Sequence, residues 1–154
     1  MDTNPYTLVV ALDSGELSKK VATYAIDLVT RLACPYKLYF IHAIGLNPTR
    51  TLPFLDDLDK ANNYDIEEEG KRVVEESVTW LEQFKEKVQY EWVTLKETKE
   101  SGPIIEDYIN SLPHVDAVIV GTRNNEGMKK LIWGSLSEYI THNVKCPVVI
   151  VKNT

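Results

Sequence analysis

The fold is decided by residues 7–33, TLVVALDSGELSKKVATYAIDLVTRLA, which join a strand pattern to a helix pattern. Residues 7–12 form a short, nearly continuous apolar run, as expected for a strand that is covered on both faces. The run ends at a polar turn, Asp13-Ser14-Gly15. From residue 16 to residue 33, apolar side chains recur at helical spacing and predict one buried stripe, made of Leu17, Val21, Tyr24, Ala25, Leu28 and Leu32.

The same alternation continues along the chain, which is typical of βαβ units and a parallel sheet. Four further strands are expected, at residues 37–44, 90–97, 115–120 and 147–151. The strand at 90–97 alternates in polarity, so we expect it to be half buried and to lie at an edge.

Three further helices are predicted between these strands. The first has an apolar face made of Val73, Val74, Leu81, Phe84 and Val88. The next opens at Ser101-Gly102-Pro103, with Pro103 in the first helical position and Ile104, Ile105, Tyr108 and Ile109 facing inward. The last covers residues 135–143. In residues 45–64 the apolar residues follow neither a helical nor a strand period, and the segment carries two prolines, so we predict a long connection or lid there.

These elements predict a single α/β domain over residues 1–154, with a doubly wound five-stranded parallel sheet of order 3-2-1-4-5 and helices on both faces. In such sheets, ligands bind beyond the carboxyl ends of the strands where the order reverses. Here those ends are Leu12-Asp13 and Val120-Gly121. The sequence therefore predicts one location for a binding site.

Composition restricts the function. A formal net charge of -6 argues against binding to nucleic acid or to an anionic membrane surface. We find no signal peptide and no apolar run long enough to cross a membrane, so we expect a cytoplasmic protein. Cys34 and Cys146 stand apart and outside any CxxC pair, which predicts reduced thiols in the core.

A segment with glycines and cations follows the fourth strand and offers what a phosphate group needs. Gly121 would let the backbone turn sharply away from the strand, and Gly127 would permit a close approach. Gly134-Ser135 would open a helix whose free N–H groups attract anions. Local positive charge comes from Arg123, Lys129 and Lys130.

The same residues also have a purely structural interpretation. Ser135 and Glu138 fit a capping box, in which the serine satisfies only the helix terminus. Gly121 would then be a turn at the end of a strand. Similarly, Asp13 fits either a ligand contact or the cap of the first helix.

The segment from Gly121 to Ser135 resembles the nucleotide loop of universal stress proteins, whose pattern is Gly, two residues, Gly, nine residues, then Gly-Ser or Gly-Thr. Gly121 and Gly134-Ser135 match at the right spacing, whereas Asn124 stands where the family has its second glycine. The resemblance extends over the chain, through residues 10–14, His42-Ala43 and the ending at residues 146–151.

This resemblance implies a binding site for ATP or a related adenine nucleotide, with any Mg or Mn ion held mainly by the phosphates. It places Ala11, Leu12, Asp13 and Ala43 on the adenosine side. It assigns the ribose and phosphates to a longer set: Val120, Gly121, Arg123, Asn124, Gly127, Gly134, Ser135, Leu136 and Ser137.

The function expected from the resemblance is that of a nucleotide-responsive binding or regulatory module in the stress response. Two alternatives stay open: an interaction dimer of the same fold with an empty pocket, and a slow ATPase. For hydrolysis the sequence offers no clear candidate beyond Asp13, so any ATPase activity should be weak; no metal site is predicted, and His42, His114 and His142 are assigned no metal or catalytic role. We also expect a homodimer through residues 147–151, because that strand is short, apolar and at the sheet edge.

Overall fold

The computed structural model describes residues 4–48, 53–122 and 135–153, with backbone only for residues 53, 54, 56 and 135. It contains five strands, β1 (Tyr6–Ala11), β2 (Tyr36–Gly45), β3 (Glu91–Glu97), β4 (Ala117–Thr122) and β5 (Val148–Lys152). The helices are α1 (Glu16–Thr30), α2 (Pro53–Leu81), α3 (Ser101–Ser111) and α4 (Ser135–Asn143), and a 3-10 turn at Glu82–Phe84 follows α2.

The strands form one parallel sheet in the order β3-β2-β1-β4-β5, which confirms the predicted topology. On one face, Val21, Ala25 and Ile26 of α1 and Leu81 of α2 pack against Leu8, Val10 and Phe40. On the other face, Ile105 and Ile109 of α3 and Ile140 of α4 pack against Val9, Ile41 and Val118. The three inner strands are apolar on both faces because helices cover both faces.

The prediction of a long connection or lid at residues 45–64 is wrong from residue 53 onward, because α2 begins at Pro53. Proline is well suited to the first position of a helix, and acidic residues such as those that follow it suit a helix N-terminus. The connection before α2 is tied to the helix by Asn63. Its amide oxygen accepts from Asn47 N at 2.7 Å and its amide nitrogen donates to Asn47 O at 3.0 Å.

Three finer predictions are also wrong. Tyr24 is 44% exposed, because the buried stripe of α1 runs through Ala22, Ala25 and Val29 instead. These side chains are small, so they contribute little to the hydrophobic periodicity of the sequence. Pro103 is the third residue of α3, where the first-turn N–H groups lack partners anyway. Both cysteines are free, but Cys34 is exposed and Cys146 is only partly buried, so neither is a core thiol.

Candidate functional site

A cavity of about 410 Å³ lies beyond the carboxyl ends of β1 and β2, against the starts of α3 and α4. This larger cavity has both apolar and polar walls, and its size is typical of a small-molecule site. Its lining residues are Leu12, Asp13, His42, Ala43, Glu100, Ser101, Gly102, Pro103, Ile105, Leu136 and Tyr139.

A smaller cavity of about 230 Å³ lies between the ends of β1 and β4, the first turns of α1 and the start of α4. Asp13 and Leu136 line both cavities, so the two adjoin at the point where the strand order reverses. The other residues of the smaller cavity are Ala11, Ser14, Leu17, Ser18, Val21, Val120, Gly121 and Ser137.

The predicted site residues are distributed over these two cavities. Leu12, Asp13 and Ala43 line the larger one, and the smaller one is lined by Ala11, Asp13, Val120, Gly121 and Ser137, with Leu136 in both. Ser135 is the first residue of α4, but its side chain, and with it the capping-box interpretation, lies outside the described part. Arg123, Asn124, Gly127, Lys129, Lys130 and Gly134 also lie outside the described residues.

The turn between β1 and α1 is held by one serine. Ser18 Oγ accepts from Asp13 N at 2.8 Å and donates to Asp13 O at 2.6 Å. The N-cap residue of α1 is Gly15, whose φ of +88° is readily adopted only by glycine. Asp13 is therefore not the cap residue of α1, and it lines both cavities where they adjoin.

Gly121 has a role different from the predicted one. It lies within β4, which continues to Thr122, so it does not turn the backbone away from the strand. A Cβ at this position would lie 2.9 Å from both Leu17 Cγ and Val21 Cγ2. The absence of a side chain therefore lets α1 pack closely onto β4 and keeps the smaller cavity open.

The charge of the two cavities comes from helix ends and carboxylates. The first turns of α1, α3 and α4 all face the carboxyl edge of the sheet, and their free N–H groups favour an anion. Among the described lining residues are two carboxylates, Asp13 and Glu100, but no lysine or arginine.

Sequence reasoning missed one wall of the larger cavity, formed by α3 and Tyr139 of α4. A Cβ on Gly102 would lie 2.5 Å from Tyr139 Cδ1, so this glycine permits the close packing of α3 on α4. The Tyr139 hydroxyl donates to Glu106 Oε2 at 2.5 Å, and this hydrogen bond is the main reason that the pKa of Tyr139 is raised. The sequence indicated only that Ser101-Gly102-Pro103 opens a helix at the same edge of the sheet; it gave no signal for the contact with Tyr139.

The three histidines lie in different environments. His42 is 8% exposed and lines the larger cavity, whereas His114 Nε2 lies 2.9 Å from Asp116 Oδ1 at the surface. His142 is in the last turn of α4. Within residues 4–48, 53–122 and 135–153, no three His, Cys, Asp or Glu side chains are grouped so as to hold a metal ion. None of the described helices is long and apolar enough to cross a membrane.

A doubly wound parallel sheet with adjoining cavities at its switch point defines the chain as an α/β protein of the open-sheet class. The model of the Universal stress protein family matches residues 6–152, and the chain belongs to this family. The universal stress protein Sll1388 of Synechocystis is 27% identical over 150 residues, which cover 95% of this chain and 97% of that protein.

Solved structures of the family share the fold. Universal stress protein UspA from Lactobacillus plantarum superposes with a TM-score of 0.72 at 17% identity, covering 96% of this chain and 99% of that chain. The universal stress protein from Archaeoglobus fulgidus, solved in complex with dAMP, superposes with a TM-score of 0.63 at 20% identity. The match covers 94% of this chain and 96% of that chain.

Proposed function

We propose that this protein binds an adenine nucleotide, ATP or a close relative, across the two adjoining cavities and acts as a nucleotide-responsive binding module. The observation that carries the proposal is the shared wall of Asp13 and Leu136, which joins a larger cavity for a base and ribose to a smaller one beside a helix N-terminus. A nucleotide needs both kinds of site side by side, since its base is flat and largely apolar and its phosphates are anionic.

The proposed orientation follows from the residues in each cavity. The base enters the larger cavity, where Leu12, Ala43 and Ile105 provide apolar surface. The phosphates enter the smaller one, beside Ser137 and the start of α4. The dAMP complex of the Archaeoglobus fulgidus relative supports an adenine nucleotide as the ligand class. The free thiols of Cys34 and Cys146 are consistent with a protein that functions in the reducing cytoplasm.

We expect AMP, ADP or ATP to raise the melting temperature of the protein, because a ligand that binds only the folded state stabilises it. At a concentration of 100 times Kd, the gain is about 2.7 kcal/mol, or roughly 5 °C or more for a chain of this size. A thermal-shift titration with each nucleotide measures the effect, and ribose 5-phosphate serves as the control without a base. If no adenine nucleotide shifts the melting temperature, the proposed function is wrong, and the alternative of an interaction dimer with an empty pocket gains support.

The proposal includes a homodimer through β5, which one contrast between the two sheet edges favours. The edge strand β3 carries charges at Glu91, Lys96 and Glu97. The other edge strand, β5, presents four apolar residues in a row, each only partly buried, before its charged end at Lys152. An unguarded apolar edge is a template for pairing with a second strand, and a two-fold axis lets one strand serve both subunits.

Val149→Lys is therefore expected to convert a dimer into a monomer. The ammonium groups of the two subunits would lie near each other across the two-fold axis and repel, and burying each of them in the interface would cost its hydration. Light scattering at micromolar concentration measures the change. Thr94→Lys on β3 is the matched control and should leave the oligomeric state unchanged, with circular dichroism to check that both variants fold. A monomeric parent, or a dimeric Val149→Lys variant, would contradict an interface at β5.

A further inference from the structure

A third cavity lies on the face of the sheet that α1 and α2 cover. Its volume is about 130 Å³, and it sits between the first turn of α1 and the second half of α2. Leu12, Val73 and Trp80 provide its apolar surface, and the first two of these side chains are almost fully buried. Gly15 and Glu16 on its rim are exposed, so the cavity opens to solvent.

The size and the aromatic wall of this third cavity suit one small ring. An apolar cavity of about 150 Å³ in another protein holds a benzene molecule, so a volume of this order accommodates a six-membered ring. The Trp80 indole meets the ring of Phe84 edge to face, with the centroids 5.0 Å apart, and both rings pack against the core on this face. Because the indole is already held in place, little side-chain freedom is lost when a ligand binds.

The rim of the third cavity is acidic. Three carboxylate residues line it, Asp13, Glu16 and Glu76, and Lys19 is the one cationic residue among the described lining residues. Glu16 pairs with Lys19 at 3.0 Å, and Glu76 pairs with Arg72 at 2.7 Å. These four side chains are between 46% and 84% exposed, and ion pairs in water are weak. The two glutamates can therefore accept hydrogen bonds from a second cation.

We propose that the third cavity is a second ligand site, which takes a small primary amine that carries one ring or an apolar group of similar size. The apolar part lies against Trp80, and the ammonium group donates to Glu16 or Glu76 at the rim. The hydroxyl groups of Ser14 and Ser77 in the wall are further acceptors. An anion of the same size is disfavoured, because the carboxylates of the rim repel it.

The third cavity shares the turn after β1 with the proposed nucleotide site. Leu12 and Asp13 also line the larger cavity, and Asp13 and Ser14 also line the smaller one. A bound ammonium group adds positive charge beside the place proposed for the phosphates, so the amine should strengthen nucleotide binding and the nucleotide should strengthen amine binding. This coupling rests on the proposed function, whereas the amine site itself does not.

Benzylamine, benzyl alcohol and benzoate test the site, because they share one ring and differ in charge at neutral pH. Benzylamine should bind at least about threefold more tightly than benzyl alcohol, as expected for a cation beside exposed carboxylates, and benzoate should bind most weakly. An NMR titration without nucleotide, at fixed pH and salt, measures the affinities. The indole N–H resonance of Trp80 should shift, whereas that of Trp92, which donates to Thr94 Oγ1 on β3, should not.

Two substitutions, each with a control, test the wall and the rim. Ser77→Leu fills the cavity from α2 and should weaken benzylamine binding at least about tenfold, because the ring is no longer buried. Thr79→Leu, at an exposed position of α2 outside the three cavities, should leave it unchanged. Glu16→Gln should reduce the preference for benzylamine over benzyl alcohol, whereas Glu75→Gln, also exposed and outside the cavities, should keep it.

Calorimetry of AMP with and without saturating benzylamine measures the coupling. The affinity for AMP should rise at least about threefold in the parent and stay constant in Ser77→Leu. An unshifted Trp80 resonance, or benzylamine binding that survives in folded Ser77→Leu, overturns the inference, and tighter binding of benzoate overturns the assignment to amines. An unchanged AMP affinity in the parent overturns the coupling alone. A parent that binds no AMP overturns the proposed function, and the titration without nucleotide then still decides the amine site.

Discussion

Ser135→Glu is expected to lower the affinity for ATP at least about 100-fold while leaving the fold intact. Residue 135 begins α4, and the next two residues line the smaller cavity, where the phosphates are proposed to bind. A carboxylate there repels phosphate oxygens across a short distance, worth about 3 kcal/mol or more near a protein surface. The helix itself tolerates the change, because a negative charge near its N-terminus is favourable.

Adenosine and a second glutamate make this experiment specific. Adenosine has no phosphate, so its affinity should change less than about threefold in the Ser135→Glu variant, as expected when only the phosphate end is disturbed. Ser111→Glu adds the same charge at the last residue of α3, away from both cavities, and should bind ATP as the parent does. An equal loss of ATP and adenosine affinity would show that the phosphates do not sit at α4.

Gly45→Ala is expected to destabilise the protein by about 2–3 kcal/mol, in the range for inserting atoms into a tightly packed region. A Cβ on Gly45 would overlap the main-chain oxygen of Lys99 and would lie 3.3 Å from Ser101 N. Both contacts are with backbone, which cannot rotate away, so the segment leading into α3 must move. Urea unfolding of parent and variant measures the difference in the free energy of unfolding.

Gly70→Ala is the matched control, with the same chemical change and a different neighbour. A Cβ on Gly70 would lie 2.5 Å from the Cδ1 atom and 2.8 Å from the Cγ1 atom of Ile44, so a side chain must move but no backbone is displaced. Because alanine is also favoured over glycine inside a helix by about 1 kcal/mol, the net loss should be clearly smaller than that of Gly45→Ala. Equal destabilisation by the two substitutions would contradict the assignment of the Gly45 effect to the rigid Lys99 backbone.

The sequence predicted the sheet well, because its signals are local and repeated. Each inner strand is an apolar run with a turn or a helix after it, and short parallel connections leave few possible orders. The first half of α2 was missed because most of that helix is exposed, so its apolar residues show no clear period. Tyr24 was placed inside because sequence periodicity gives a large aromatic residue more weight than the neighbouring alanines that the sheet buries.

The candidate site was predicted in its location but not in all of its walls. Residues at the ends of β1 and β4 were found because the topology brings strand ends to one edge. Tyr139 and Gly102 were missed because their approach depends on how α3 packs on α4, which neither helix pattern reveals. The hydrogen bond between His42 and the main-chain oxygen of Leu12 was not predicted, because the two residues are thirty positions apart in the chain.

The central position of β1 has a consequence for synthesis on the ribosome. β1 pairs with β2 soon after both are made, but its other neighbour is β4, whose first residue is Ala117. At typical rates of about 5–20 residues per second, the far side of β1 stays without its partner strand for roughly 5–20 seconds. During that interval the nascent chain carries an open apolar sheet edge in the middle of its future core. A ribosome that stalls before β4 is complete would hold an aggregation-prone intermediate, one that a chaperone recognising apolar strands would bind.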